Sequence, residues 1–339
     1  MRFLRVIICA VFSAILSIHV PAGESIANDT TAITLADLQL GPEWATRQVP
    51  VENGELACYV REGRGPTLLM IPGTFSDRRN FALVVRHLRP ELNLVIVENR
   101  GLGGSGLPPE TSSIERCARD ALTVIDTLKI GQFYASGHSL GGMISIELGR
   151  LAPERLRGVI SIEGWTNSGA AAAASQNDMK STLSPAQLET QAAYRKDVLK
   201  NWTDEQIKMF GSIWRQWDGT EILKTTKLPV LELYGDRGRS RPARGTLGLP
   251  ECESIQLKWF TGASHSLLIE RPVGVANAIN SFIAANGRTD QHADVVVLGG
   301  TPGGIASALA AARRGRSVVL VEIGRAHVLT PVTLRYLVC

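Results

Sequence analysis

Short apolar runs alternate with longer stretches whose apolar residues recur at helical spacing through the middle of the chain. "TLLMIPG" (67–73), "LNLVIVE" (92–98), "QFYASGHS" (132–139), "LRGVISIEG" (156–164), "LPVLELYG" (228–235) and "SIQLKWFTG" (254–262) are short, rich in β-branched and aromatic residues, and closed by turn residues. This is the pattern of buried strands. Between them, "SIERCARDALTVIDTLKI" (113–130), "MISIELGRLAP" (143–153) and "VGVANAINSFIAA" (273–285) carry the helical period. Such alternation predicts an α/β domain over 45–285: a mostly parallel sheet with helices on both faces.

The alternation stops between Trp165 and Thr226. "SPAQLETQAAYRKDVLKNW" and "TDEQIKMFGSIWRQW" predict helices there, in a cap (165–226) over the carboxyl edge of the sheet. Ligands of open α/β sheets bind at that edge. Trp202, Phe210, Trp214 and Trp217 lie in this segment, the last three at helical spacing. Packing of cap on sheet is the expected role, ahead of substrate contact. The alanine run at 169–175 reads as a hinge or a helix start.

The termini break the pattern. Residues 1–27 open with Arg2 and Arg5, continue as an apolar run and close on Ser25 and Ala27. That is the layout of a cleaved secretory leader, and it predicts a secreted or periplasmic protein with no stable membrane span after cleavage. Residues 286–292 read as a linker. In 293–322, "ADVVVLGGTPGGIASALAAARRGRSVVLVE" gives strand, glycine turn, helix and strand. The stretch resembles the start of a flavin-dependent oxidoreductase of the FAD-binding type, with Glu322 where the ribose-binding acid is expected. Thr301 stands where the fingerprint has its middle glycine, and one βαβ unit is a truncated dinucleotide-binding domain. The last segment, 323–339, resembles a translated sequencing adapter and is expected to be artefactual.

Composition adds limits. Of 339 residues, 44% are hydrophobic and 20% charged, as in globular, core-forming proteins. The net charge of +4 falls to +1 without the leader and the last segment, so nucleic acid is not an expected partner. Cys58, Cys117, Cys252 and Cys339 follow Cys9 of the leader with spacings that fit neither a zinc site nor a redox pair. Buried thiols are the expectation.

The chemistry centres on Gly137-His138-Ser139-Leu140-Gly141. A strand runs into this turn and a helix leaves it, the context in which G-x-S-x-G forms a nucleophile elbow. The helix start directs free N–H groups at the serine. On these residues the chain resembles the α/β-hydrolase superfamily over 45–285. "IPGTFSDRRNF" stands in place of the family's His-Gly oxyanion loop, "VENRGLGGSG" resembles its structural strand-end turn, and "GASHSLLIERP" resembles its histidine loop.

The resemblance implies a serine hydrolase acting through an acyl-enzyme, with partners in the order Ser, acid, His. Ser139 is the expected nucleophile and His265 the base. The oxyanion donors are the backbone amides of Leu140 and of Thr74, with Phe75 as the alternative to Thr74. Two carboxylates compete for the acid. Asp236 follows Gly235 near the family's usual place. Glu163 closes "LRGVISIEG", where the similar stretch of haloalkane dehalogenases can carry the acid. Those enzymes and the epoxide hydrolases have an aspartate nucleophile, whereas this chain has Ser139. The expected substrate is a small, apolar carboxylic ester or related acyl compound, and the reading calls for no metal or organic cofactor. Two alternatives stand beside it: an FAD-dependent oxidoreductase with a hydrolase appendage, and a non-catalytic hydrolase-like binding protein.

Overall fold

The computed structural model describes residues 32–106, 108–176, 181–287, 294–299, 301–316 and 318–321. The expected leader, the last segment and most of the linker lie outside them. The chain divides into two compact units, residues 1–280 and 281–339.

The first unit holds an eight-stranded sheet. Its strands are β1 (Ala45–Val51), β2 (Gly54–Arg61), β3 (Thr67–Ile71), β4 (Asn93–Val97), β5 (Phe133–His138), β6 (Leu156–Ile162), β7 (Val230–Gly235) and β8 (Ile255–Phe260). The spatial order is β1-β2-β4-β3-β5-β6-β7-β8. From β4 to β8 all pairings are parallel; β1–β2 and β2–β4 are antiparallel. That antiparallel edge is an addition to the alternation in the sequence. Glu52-Asn53 forms its two-residue hairpin loop, with Asn53 at φ 71°, a left-handed conformation that asparagine tolerates, and Gly54 opens β2.

All residues of β3 and β5 are buried, as expected for central strands covered on both faces. The connecting helices are α1 (Ala82–Val85), α2 (Ile114–Thr127) and α3 (Leu140–Leu151), and α2 packs against α3. Ser113 caps α2, accepting the Arg116 amide, and the helix buries Ile114, Cys117, Ala118, Ala121, Val124 and Ile125 on one stripe. After β3 the chain builds β4 on one side and then β5 on the other. The switch point of the sheet therefore lies between the carboxyl ends of β3 and β5, where a crevice opens.

The cap segment holds α4 (Ser168–Ser175), α5 (Pro185–Val198), α6 (Asp204–Phe210) and α7 (Thr220–Thr225). The alanine run is helical, started by the Asn167 side chain on the Ala170 amide. The second expected cap helix is shorter than its period suggested: it ends at Phe210, and Gly211 leads into turns. Trp202, Phe210 and Phe75 pack on one another, and Trp214 packs on Trp165. After β8 come α8 (Leu267–Glu270) and α9 (Pro272–Asn286). Cys58 and Cys117 are buried free thiols, but Cys252 is exposed, contrary to expectation, because it lies in the turn before β8.

The second unit contains β9 (Val295–Leu298), α10 (Pro302–Ala312) and β10 (Val318–Val321), with β9 and β10 parallel. Among the described residues no helix is long and apolar enough to cross a membrane.

Candidate active site

Strand β5 ends at His138 and α3 begins at Leu140, so Ser139 alone makes the turn. It does so at φ 55°, ψ −118°, a conformation that costs a non-glycine residue of order 1–3 kcal/mol. The neighbouring glycines explain how the turn closes. A Cβ at Gly137 would strike the backbone of Gly141, and one at Gly141 would strike the carbonyl oxygen of Ile71. The helix can thus lie directly on the ends of β3 and β5. The Ser139 amide donates to the Ile162 carbonyl at 2.8 Å, tying the turn to β6.

The loop after β3 approaches from the other side. A Cβ on Gly73 would lie 3.3 Å from the Ser139 Cβ, so the loop backbone borders the serine. The Gly73 amide donates to Asn80 Oδ1, and the Ser76 amide returns to the Gly73 carbonyl. Phe75 sits at φ 57°. Among the described residues no acceptor pairs with the amides of Thr74, Phe75 or Leu140. Cap residue Tyr194 braces this loop: its hydroxyl accepts the Asp77 amide and donates to Asp77 Oδ1.

Glu163 is the first residue after β6. It stands beside Ser139 because His138 pairs with Ile162 across the sheet. It too adopts a left-handed conformation, φ 53°. Its buried carboxylate accepts the Gly235 amide on Oε1 at 2.5 Å, and on Oε2 it meets Arg237 Nη2 at 3.3 Å and His265 Nδ1 at 3.1 Å. Burial alone would raise its pKa. The hydrogen bond and charge of His265, then Arg237 and the Gly235 amide, overcome this and hold it below the usual glutamate value. An ionised carboxylate only accepts hydrogen bonds, so Nδ1 carries the imidazole proton and Nε2 presents its lone pair.

His265 comes from the loop after β8. That loop is pinned by Glu270, which accepts the Ser264 amide and hydroxyl. The imidazole is 23% exposed. Trp165 stacks on it at 4.8 Å between centroids and 25° between planes. His138, 5.1 Å away, engages the His265 carbonyl through Nε2 at 2.9 Å. A carbonyl only accepts, so His138 Nε2 is the donor. Burial first, and then the second histidine, push the His138 pKa down to about 4.

Ser139, His265, Gly73, Thr74 and Phe75 line a single cavity of about 580 Å³. Ser139, His265 and Glu163 are thereby brought together. Asp236 is not. Its Oδ1 accepts the amides of Gly238 (2.9 Å) and Gly262 (2.7 Å), and its Oδ2 accepts from Arg241, so it closes its own turn. Trp202, Phe210, Trp214 and Trp217 do not line this cavity; they pack the cap. Reading the sequence missed His138 and Trp165 as neighbours of His265, while Arg237, one of the two arginines it offered as a holder of either carboxylate, meets Glu163. The one available signal was the closeness of Trp165 to Glu163 in "IEGW".

Among the described residues no cluster of His, Cys, Asp or Glu could hold a metal ion. The glycine turn of the second unit does not fit a dinucleotide by itself. Thr301 Oγ already accepts the Gly304 amide that a phosphate would need, and Val296 and Leu298 are 57% and 71% exposed on the two-stranded sheet.

Residues 66–209 match the family described as alpha/beta hydrolase fold, and residues 294–327 match the FAD dependent oxidoreductase family. A protein of Azorhizobium caulinodans, named as a candidate carbamate hydrolase, RutD, is 28% identical over 110 residues, 32% of this chain and 42% of its own length. The chain spans only 40% to 42% of the first such relatives. The structure of a hydrolase from Pseudomonas aeruginosa PA01 superposes with TM-score 0.60 at 18% identity, covering 72% of this chain and 99% of that one. The enol-lactonase from Burkholderia xenovorans LB400 gives TM-score 0.57 at 20% identity, covering 70% and 100%. The fold is the α/β-hydrolase fold.

Proposed function

We propose that this chain is a serine hydrolase that cleaves a carboxylic ester, or a related acyl bond, of a small substrate through an acyl-enzyme. One observation carries the reading: a serine held at a strained strand-to-helix turn shares a cavity with an imidazole whose far nitrogen is paired with a buried carboxylate. A serine hydroxyl is a weak nucleophile and needs such a base. His265 Nε2 takes the proton of Ser139 as the oxygen attacks the carbonyl. The amides of Leu140 and Thr74 receive the negative charge of the tetrahedral intermediate. His265 then protonates the leaving group and, in the second step, takes a proton from water. Glu163 fixes the tautomer and offsets the charge of the imidazolium. Relatives and neighbours named for carbamate and lactone hydrolysis agree with acyl chemistry without choosing the bond.

A fluorophosphonate probe tests the reading. It is expected to label the protein at Ser139, with no labelling of Ser139→Ala. An unlabelled, folded protein that also leaves p-nitrophenyl esters intact would reject it and favour a non-catalytic binding role. The match of 294–327 supports a second reading, in which a hydrolase unit precedes the start of a flavin domain. Flavin absorbance in the purified full chain would support that, and its absence would count against it. Export of the mature protein, the other expectation from the leader, is tested by N-terminal sequencing of protein recovered outside the cytoplasm.

A further inference from the structure

The cavity at Ser139 is charged in an uneven way. Its described lining carries two guanidinium groups, Arg79 and Arg195, and no carboxylate. The two arginines differ in what holds them. Arg79 is 2.7 Å from Asp77 and 2.8 Å from Asp197, so its charge is spent within the protein. Arg195, one helical residue beyond Tyr194 on α5, has no ion pair among the described residues. Its guanidinium lies over the Phe75 ring, 4.7 Å from the centroid. A ring face orients a guanidinium but does not neutralise it, and it leaves the N–H edge of the fork free. Phe75 belongs to the loop after β3, and Phe75, Arg195 and Ser139 all line this cavity. Its described lining also carries the apolar side chains of Leu83, Leu188, Leu268 and Ile269.

We propose that Arg195 recognises an anionic group at the far end of the acyl chain, so that the favoured substrates are esters or related derivatives of acids with a second, terminal carboxylate. The apolar wall takes the methylene chain, and Arg195 forms a forked, charge-assisted pair with the carboxylate. The reacting end rests on the reading of Ser139 given above; the anion-binding end does not.

The test separates the two. Monoethyl adipate and ethyl hexanoate have the same chain and differ in a terminal carboxylate against a methyl group. Their binding to Ser139→Ala is measured by calorimetry, with monoethyl glutarate and suberate and their neutral counterparts to find the chain length that spans the cavity. The best-fitting half-ester is expected to bind about tenfold more tightly than its neutral partner. Adding Arg195→Gln should abolish that preference, and Arg195→Lys should keep part of it. In Ser139→Ala with Arg195 intact, raising salt from ~0.02 M to ~0.5 M should shrink it. Equal binding of half-ester and neutral ester at every length, or a preference unmoved by both Arg195→Gln and salt, would overturn the assignment. Ethanol release by the unaltered protein is scored independently. Anion preference without release keeps the Arg195 assignment and rejects the hydrolase reading; release without preference does the reverse.

Discussion

Two side chains at the site work against their surroundings, and each yields a prediction. His138 is buried, and its Nε2–H is committed to the His265 carbonyl, so the folded protein keeps it neutral. Its folded pKa is about 4, against about 6.5 in the unfolded chain. The lowered value means that its contribution to stability is complete above the unfolded pKa and is lost as pH falls from 6.5 towards 4, to the extent of about 3 kcal/mol. Urea denaturation at several pH values should therefore show a shallower acid-side loss for His138→Asn than for the parent. Parallel profiles would contradict this. Glu163 is the second case. Glu163→Gln keeps the shape but cannot hold Nδ1–H in the same way, and it should lower kcat/KM on a p-nitrophenyl ester about 10³-fold. Asp236→Asn, which alters a turn closed on the Gly238 and Gly262 amides, should stay within about tenfold of the parent. Near-parental turnover by both variants would remove Glu163 from the mechanism.

At the scale of elements, the elbow depends on how closely α3 lies on β3. Gly141→Ala places a methyl group against the Ile71 carbonyl, between two buried backbones that cannot give way. The expected cost is about 2 kcal/mol, read as a thermal midpoint lowered by ~4–8 °C, together with weaker probe labelling. An unshifted midpoint would mean that helix and strand are less tightly apposed than described. The strand-end turn "NRGLGGSG" is a structural element of similar kind. Arg100 is fully buried and meets both oxygens of Asp120, at 2.6 and 2.8 Å, locking the turn to α2. Glu98, also buried, accepts the Arg78 and Gly104 amides and joins the same turn to the loop that follows β3. Neither group lines the cavity.

For the molecule as a whole, the sheet, the cap and the cavity all lie within the first unit, and α9 runs on to Asn286 with Phe282 and Ile283 buried. We therefore predict that a chain ending at Gly287 keeps fluorophosphonate labelling and a thermal midpoint within a few degrees (about 3 °C) of the full chain. Loss of labelling in a folded 1–287 chain would show that the second unit takes part in the site.

Read along the chain, apolar periodicity and the glycines around Ser139 were enough for the parallel strands and the elbow, and the family resemblance, through its chain order, supplied the candidacy of His265. Those features are local: a period of two or of 3.6, a turn too tight for side chains, a position in chain order. The shortened cap helix and the antiparallel edge were partly hidden, although Gly211 and Asn53-Gly54 marked both. The choice of carboxylate was not local at all. Glu163 and Asp236 each end a strand, and they differ in what folds against them: the Gly235 amide, Arg237 and His265 converge on one, the Gly238 and Gly262 amides and Arg241 on the other. The difference between the two cavity cations has in part the same origin: Asp77 is local to Arg79, but Asp197 lies two residues from Arg195 in the sequence and yet pairs with Arg79 once the cap folds onto the sheet. Sequence alone determined the backbone geometry at Ser139; tertiary structure decided which charges meet, because electrostatic partners are set by distances between elements remote in the chain.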